Sequence, residues 1–344
     1  MTPVFDDSRL DDPEVLASID PVLRRLAETG ARVRREVDAS AVRLLALEPD
    51  GRPRAVVAVG PDARLLRAVL EPWCPVPFVA WSGPRLPGWT GALDLVVVLA
   101  PGGERDPGVL GAVSEAVRRG STLLVACDEH SELADLAAGR HTTVLPVVTG
   151  DALPATVAVL RALRRLGLGP EVDADEVADA LDAVAASSSP FLDLAQNPAK
   201  ELALAIGDDL PLLWGGSVLA ARVARRLAES VRAATGRAAL ADAADHLVPL
   251  LEQVAPRDLF ADPFDDVPSP ARPVLVVVDD GADDPAVRED LGRLRAAAGS
   301  AGVRVEELAV DRGSELARYA TLLTRGSYAA AYLGAALGTL VADV

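Results

Sequence analysis

The feature that most constrains this chain is an alternation: short, nearly continuous apolar runs rich in valine recur with helix-forming stretches between them. In the first half the runs are RAVVAVG (Arg54–Gly60), VPFVAW (Val76–Trp81), DLVVVLAPGG (Asp94–Gly103), STLLVAC (Ser121–Cys127) and TTVLPVV (Thr142–Val148). A strand apolar on both faces needs cover on both faces. The stretches between most of the runs, such as Pro107–Arg119 and Ser131–Ala138, read as crossover helices. This rhythm predicts a parallel, doubly wound sheet. Half of the residues are hydrophobic but only 3% are aromatic, so the core has to be built from Val, Leu and Ala.

The second half repeats the plan. DLPLLWGGS is a strand and turn, Val218–Thr235 an uninterrupted helix, and Ala241–Glu252 another. PVLVVVDDG (Pro273–Gly281) is a buried strand, Ala286–Ala298 a helix, VRVEELAV (Val303–Val310) a strand, and Ser314–Gly338 a long closing helix. Ahead of the first strand, PEVLASIDPVLRRLAETGARVRREV reads as two amphipathic helices around Pro21. Ala152–Leu166 closes the first half, and the acidic helix EVDADEVADALDAVAASSS leads into the second. Pro256–Pro273, rich in Pro and Asp, reads as an exposed connection. A chain of 344 residues exceeds what one core organises. The expected division is residues 1–170, opening helices plus first sheet, and residues 171–344.

Charge narrows the partners. A net charge of −17 and a pI near 4.6 repel phosphate backbones, so no nucleic acid is expected. The acidic opening MTPVFDDSRLDD has no apolar signal core. Ala329–Val341 falls short of the ~20 apolar residues of a membrane span. The expectation is a cytoplasmic protein with no membrane partner. Cys74 and Cys127 stand far apart and read as buried thiols. Lys200 is the only lysine, which leaves one position where an amine could act as base or Schiff-base former.

In a parallel sheet, ligands sit at the carboxyl ends of the strands. Four loops leave such ends. In AVGPDARLL, Gly60 could bring amides toward a phosphate, but Pro61 lacks an N–H, Asp62 puts a negative charge at the helix start, and a plain helix cap is the favoured reading. LAPGGERDPG offers Gly102, Gly103 and Arg105 beside the acids Glu104 and Asp106. WGGSVLA puts Gly215, Gly216 and Ser217 at the start of a long helix with no acid nearby in sequence, an anion cradle or a plain serine-capped turn. VVDDGADDPA clusters Asp279, Asp280, Asp283 and Asp284 in a spacing that fits no known calcium loop. No metal site is assigned.

Three segments carry a resemblance: NPAKELALAIGDDLPLLWGGS (Asn197–Ser217), GSELARYATLLTRGSYAAAYLGAALG (Gly313–Gly338), and RGSTLLVAC with SELADLA (Arg119–Ala137). They are similar to the sugar isomerase (SIS) family, and within it to the bifunctional phosphoglucose/phosphomannose isomerases, including a divergent actinobacterial branch. The resemblance implies an α/β fold of two Rossmann-like SIS domains, each a parallel sheet with helices on both faces. It also implies a small phosphorylated sugar as ligand, aldose–ketose isomerisation without a cofactor, and a homodimer formed by helix packing, which the closing helix would suit. By position it makes Glu229 a candidate base and His246 a candidate acid–base group. The chain departs from the family in several places. Leu99–Gly108 has no hydroxyl, Val248 stands where the motif carries glutamate, and Asp151–Val157 has no arginine. The second histidine and the late lysine have no counterpart. Two readings stay open: an isomerase with a rebuilt site, or a non-catalytic sugar-phosphate sensor or partner subunit.

Overall fold

The computed structural model describes residues 4–49, 51–103, 105–254 and 271–340, so most of the expected connection Pro256–Pro273 lies outside the described residues, as does Glu104. The chain divides into two compact units, Thr29–Asp179 and the combination of Met1–Glu28 with Ala180–Val344.

The opening segment forms three helices, α1 (Pro13–Ser18), α2 (Asp20–Ala27) and α3 (Thr29–Ala46), where the periodicity predicts two. Pro13 and Pro21 each fall in a first turn, where a missing N–H breaks no helical bond, so each starts a new helix. Packing of α2 against the closing helix groups α1 and α2 with the C-terminal unit, whereas the sequence pattern attaches them to the first sheet.

The Thr29–Asp179 unit follows the alternation closely. Its elements run β1 (Val56–Val59), α4 (Ala63–Leu70), β2 (Phe78–Trp81), β3 (Leu95–Leu99), α5 (Pro107–Arg119), β4 (Thr122–Cys127), α6 (Glu132–Ala137), β5 (Thr142–Pro146) and α7 (Ala152–Arg165). The five strands are the five apolar runs, all parallel, in the order β2-β1-β3-β4-β5. Val57, Val59, Val96, Val98, Leu123 and Val125 alternate onto one face and pack with α5 and α6. The opposite face, with Val56, Ala58, Val97 and Leu124 also buried, is covered by α3, α4 and α7. Burying both faces of a Val/Leu sheet is what the uninterrupted apolar runs require. The unit ends within α8 (Ala174–Ser187).

The second unit continues with α9 (Pro198–Ile206), β6 (Leu210–Gly215), α10 (Val218–Thr235), β7 (Leu240–Ala241), α11 (Ala244–Glu252), β8 (Pro273–Asp279), α12 (Pro285–Ala301), β9 (Arg304–Ala309) and α13 (Glu315–Leu337). Its four strands are parallel in the order β7-β6-β8-β9. The edge strand β7 is two residues long, too short to leave a period in the sequence. Leu212, Trp214, Leu275 and Val277 pack with α11 and α12, while α10 covers the other face. α13 is buried along nearly its whole length against α9, α10 and α2, so most of its apolar surface is covered within one chain. No helix among the described residues is long and apolar enough to cross a membrane.

The sole lysine is structural. Lys200 is fully buried; its Nζ donates to Asp11 (2.7 Å), the Leu192 carbonyl (2.8 Å) and the Pro190 carbonyl (3.2 Å), and lies 5.6 Å from the centre of the Tyr332 ring. Three acceptors account for all three protons of the ammonium.

Candidate ligand-binding site

Each sheet has one place where the strand order reverses and the helices on either side diverge. In the first unit it lies between β1 and β3. A pocket of about 450 Å³ opens there, lined by Val59 and Gly60 after β1, Trp81 and Ser82 at the end of β2, and Asp106 and Gly108 at the start of α5. The first turn of α4 adds Arg64, so the N-terminal ends of two helices, α4 and α5, border the same hollow. The positive ends of the helix dipoles favour an anion at such a point. Arg64 is exposed and has no carboxylate partner among the described residues. Asp106 is the opposing charge, but its Oδ1 already accepts the Val109 amide at 2.9 Å as the cap of α5.

Gly60 fits its place for a steric reason. Its φ is +117°, and a Cβ there would collide with the Leu99 carbonyl oxygen of β3. Only glycine lets β1 and β3 end this close together and leave the pocket open. Asp62 does not play the part its position suggests: it holds the N-cap position of α4 but makes no side-chain cap bond. The next loop contributes less than its sequence promises. Gly102, Gly103 and Arg105 do not line the pocket. The amides of Gly103 and Asp106 bond to the carbonyls of Ala100 and Gly103, which closes the loop as a turn.

In the second unit the reversal lies between β6 and β8, which brings Gly215, Gly216 and Ser217 beside the acidic turn that follows β8. The cradle has no acid nearby in sequence, but it has one in space. Ser217 Oγ donates to Asp280 Oδ2 at 2.5 Å and accepts the Ala220 amide at 2.9 Å as the cap of α10. Asp280 is buried. A carboxylate therefore sits where an incoming phosphate would meet this hydroxyl. The two glycines are packing positions: a Cβ on Gly215 would strike the backbone at Ala220, and one on Gly216 would strike Val287. The rest of the acidic turn serves local structure. Asp279 accepts the Gly281 amide, Asp284 caps α12, and Asp283 pairs with Arg288. Among the described residues no three His, Cys, Asp or Glu side chains are grouped to hold a metal ion.

The two residues that the resemblance assigns to catalysis are tied to neighbours. Glu229 pairs with Arg226 at 2.9 Å, one turn back on α10. His246 is exposed, with Nδ1 3.1 Å from Asp242, whose carboxylate raises the imidazole above the usual histidine range. Both are surface ion pairs within single elements or their flanks.

Sequence reasoning missed Arg64, Trp81 and Ser82. The signal was present as a Ser-Gly pair directly after a strand and an arginine two residues into the helix after AVGPD. Only the order β2-β1-β3 shows that these loops meet.

By sequence, residues 195–340 match the family described as bacterial phospho-glucose isomerase C-terminal SIS domain. No curated protein gives a significant match. By fold, the chain is similar to the C-terminal domain of glucosamine-fructose-6-phosphate aminotransferase from Francisella tularensis, with a TM-score of 0.64 at 12% identity over 92% of this chain and 96% of that one. Tagatose-6-phosphate ketose/aldose isomerase from Escherichia coli gives 0.59 at 15% identity, covering 94% and 93%. A glucose-6-phosphate isomerase like protein from Thermus thermophilus gives 0.56 at 15% identity, covering 95% and 92%. At these identities the likeness is one of fold. The chain thus has the fold of the phosphosugar isomerase SIS proteins, and its residues 195–340 match the bacterial phosphoglucose isomerase C-terminal SIS domain family.

Proposed function

We propose that the protein binds a phosphorylated sugar in the pocket between β1 and β3, and that it is a phosphoglucose/phosphomannose isomerase relative whose isomerase chemistry has been replaced. The observation that carries this reading is the pocket itself. Two helix N-termini and the Arg64 guanidinium border a hollow of about 450 Å³ at the switch point of the sheet. Its size falls in the usual range for small-ligand pockets, and Ser82 and the Gly60 loop add polar groups for hydroxyls. The loss of isomerase chemistry is supported by the partners of the inherited positions. Glu229 faces Arg226, His246 faces Asp242, Lys200 is saturated, and Ser217 is held by Asp280. A base that must move a proton between two carbons needs access to substrate. The homodimer implied by the family resemblance belongs to the same proposal, and its mass in solution tests it.

The test is calorimetric titration with glucose 6-phosphate, mannose 6-phosphate and fructose 6-phosphate, with their interconversion followed by NMR. Saturable binding is expected for the phosphorylated sugars and not for glucose. Arg64→Ala should weaken it by about 10- to 100-fold, the usual worth of a hydrogen bond to a charged group. Binding unchanged in Arg64→Ala would remove the site. Interconversion that disappears in Glu229→Gln would restore the enzyme reading.

A further inference from the structure

The opposite, amino-terminal edge of the first sheet carries a second pocket, of about 440 Å³, built wholly within the Thr29–Asp179 unit. Leu123 and Leu124, at the start of β4, line it together with Leu47, Leu93 and Leu168. Leu93 is 70% exposed, and Thr122, Thr142 and Thr143 add hydroxyls to a lining that mixes apolar and polar groups.

The polar groups around this hollow include two arginines, a histidine and three threonines. Arg140 Nε donates to His141 Nε2 at 2.8 Å. Arg52 and Arg140 line the pocket and have no ion-pair partner among the described residues. Two carboxylates also line it. Asp94 is taken, because its oxygens accept from Arg54 Nε (3.0 Å), Arg54 Nη2 (2.6 Å) and the Gly91 amide (2.8 Å). Glu48 is the remaining one, against two guanidiniums.

From this combination we infer a second ligand site, for a small organic anion with an apolar or aromatic body, such as an aryl phosphate monoester. The exposed Leu93 and the half-buried Leu47 and Leu166 offer apolar surface that an aromatic body covers and a sugar ring does not. A bare phosphate leaves the leucines uncovered. The inference does not rest on the pocket between β1 and β3, which lies at the other edge of the same sheet.

1-Naphthyl phosphate is a suitable probe, with 1-naphthol, inorganic phosphate and glucose 6-phosphate as separate arms, each titrated into the full chain by calorimetry. The naphthyl phosphate is expected to saturate one site at least tenfold more tightly than any of the other three. Its binding should fall at least tenfold in the double variant Arg52→Ala, Arg140→Ala, and should be unchanged in Arg64→Ala. Both arginines are exposed, so their loss leaves the core intact. In parallel, the His141 imidazole signal, assigned with His141→Gln, should shift on binding while those of His130 and His246 stay. Absence of saturation in the wild type overturns the inference. So does binding undiminished in the double variant, or binding lost in Arg64→Ala, which would move the probe to the other pocket.

Discussion

Ser217 donates its hydroxyl proton to Asp280 across 2.5 Å while accepting the Ala220 amide at 2.9 Å, so one side chain caps α10 and satisfies a buried carboxylate. Ser217→Ala removes both bonds. Loss of an N-cap costs about 1 kcal/mol, and a buried oxygen left short of a donor costs about 1–3 kcal/mol more. The expected loss is about 2–4 kcal/mol in urea unfolding, largely recovered by Ser217→Thr, which keeps the hydroxyl. A midpoint unchanged by the alanine would mean that Asp280 finds another donor.

Lys200 gives a sharper chemical signature. It is the only lysine in the chain, it is fully buried, and its three protons are all donated. Lysine acetylation by an amine-reactive reagent should therefore be absent from the native chain and appear only on unfolding. Lys200→Met should destabilise by about 3 kcal/mol, the low end for breaking a buried pair, because Asp11 is 47% exposed and can rehydrate. Rapid modification of Lys200 under native conditions would contradict the burial.

Those two residues also show what the sequence could and could not reveal. The strands were legible because a buried parallel strand writes its own signature: Val56–Val59, Leu95–Leu99 and Val274–Val278 are apolar on both faces and have few other places to go. Gly60 and Gly215 were legible as special positions, since each follows such a run directly. Their reasons were not legible, because the atoms that exclude a Cβ belong to Leu99 and Ala220 and are set by register and helix packing. Asp280 lies 63 residues from Ser217, so the apparent anion cradle looked open in sequence. The same holds for Asp11 and Lys200, 189 residues apart. Pairings that depend on strand order leave no local trace.

Glu36 supplies a pH dependence. It is fully buried on α3, and its carboxylate accepts the Thr149 hydroxyl at 2.7 Å and the Val148 and Thr149 amides at 3.0 Å. Burial pushes its carboxyl above the ordinary glutamate range, and the donated hydrogen bonds offset only part of that. A raised folded value means that, above the ordinary pKa near 4.3, the folded chain still holds a proton that the unfolded chain has released. The stability Glu36 contributes is therefore full below that point and declines as pH rises through the folded value. Glu36→Gln has no proton to lose, so wild-type stability minus variant stability should fall as pH rises above about 4.3. A difference that grows with pH over this window would reverse the sign and sink the account.

Two glycines that look alike in sequence should behave very differently. Gly60 holds φ at +117°, and a Cβ there would meet the Leu99 carbonyl oxygen, whereas a Cβ on Gly103 would meet nothing within 4 Å. Alanine at position 60 must move β1 away from β3 or distort its own backbone. Strain of that kind costs about 1–3 kcal/mol, and overpacking adds a comparable amount. Gly60→Ala should therefore lose about 2–6 kcal/mol in thermal or urea unfolding, while Gly103→Ala stays within about 0.5 kcal/mol of wild type. The same pair separates the two loops as ligand contacts. If the pocket between β1 and β3 holds the sugar phosphate, Gly60→Ala narrows its mouth and weakens binding even where the fold survives, and Gly103→Ala leaves it unchanged. Equal effects of the two substitutions would show that the loop after β3 reaches the ligand after all.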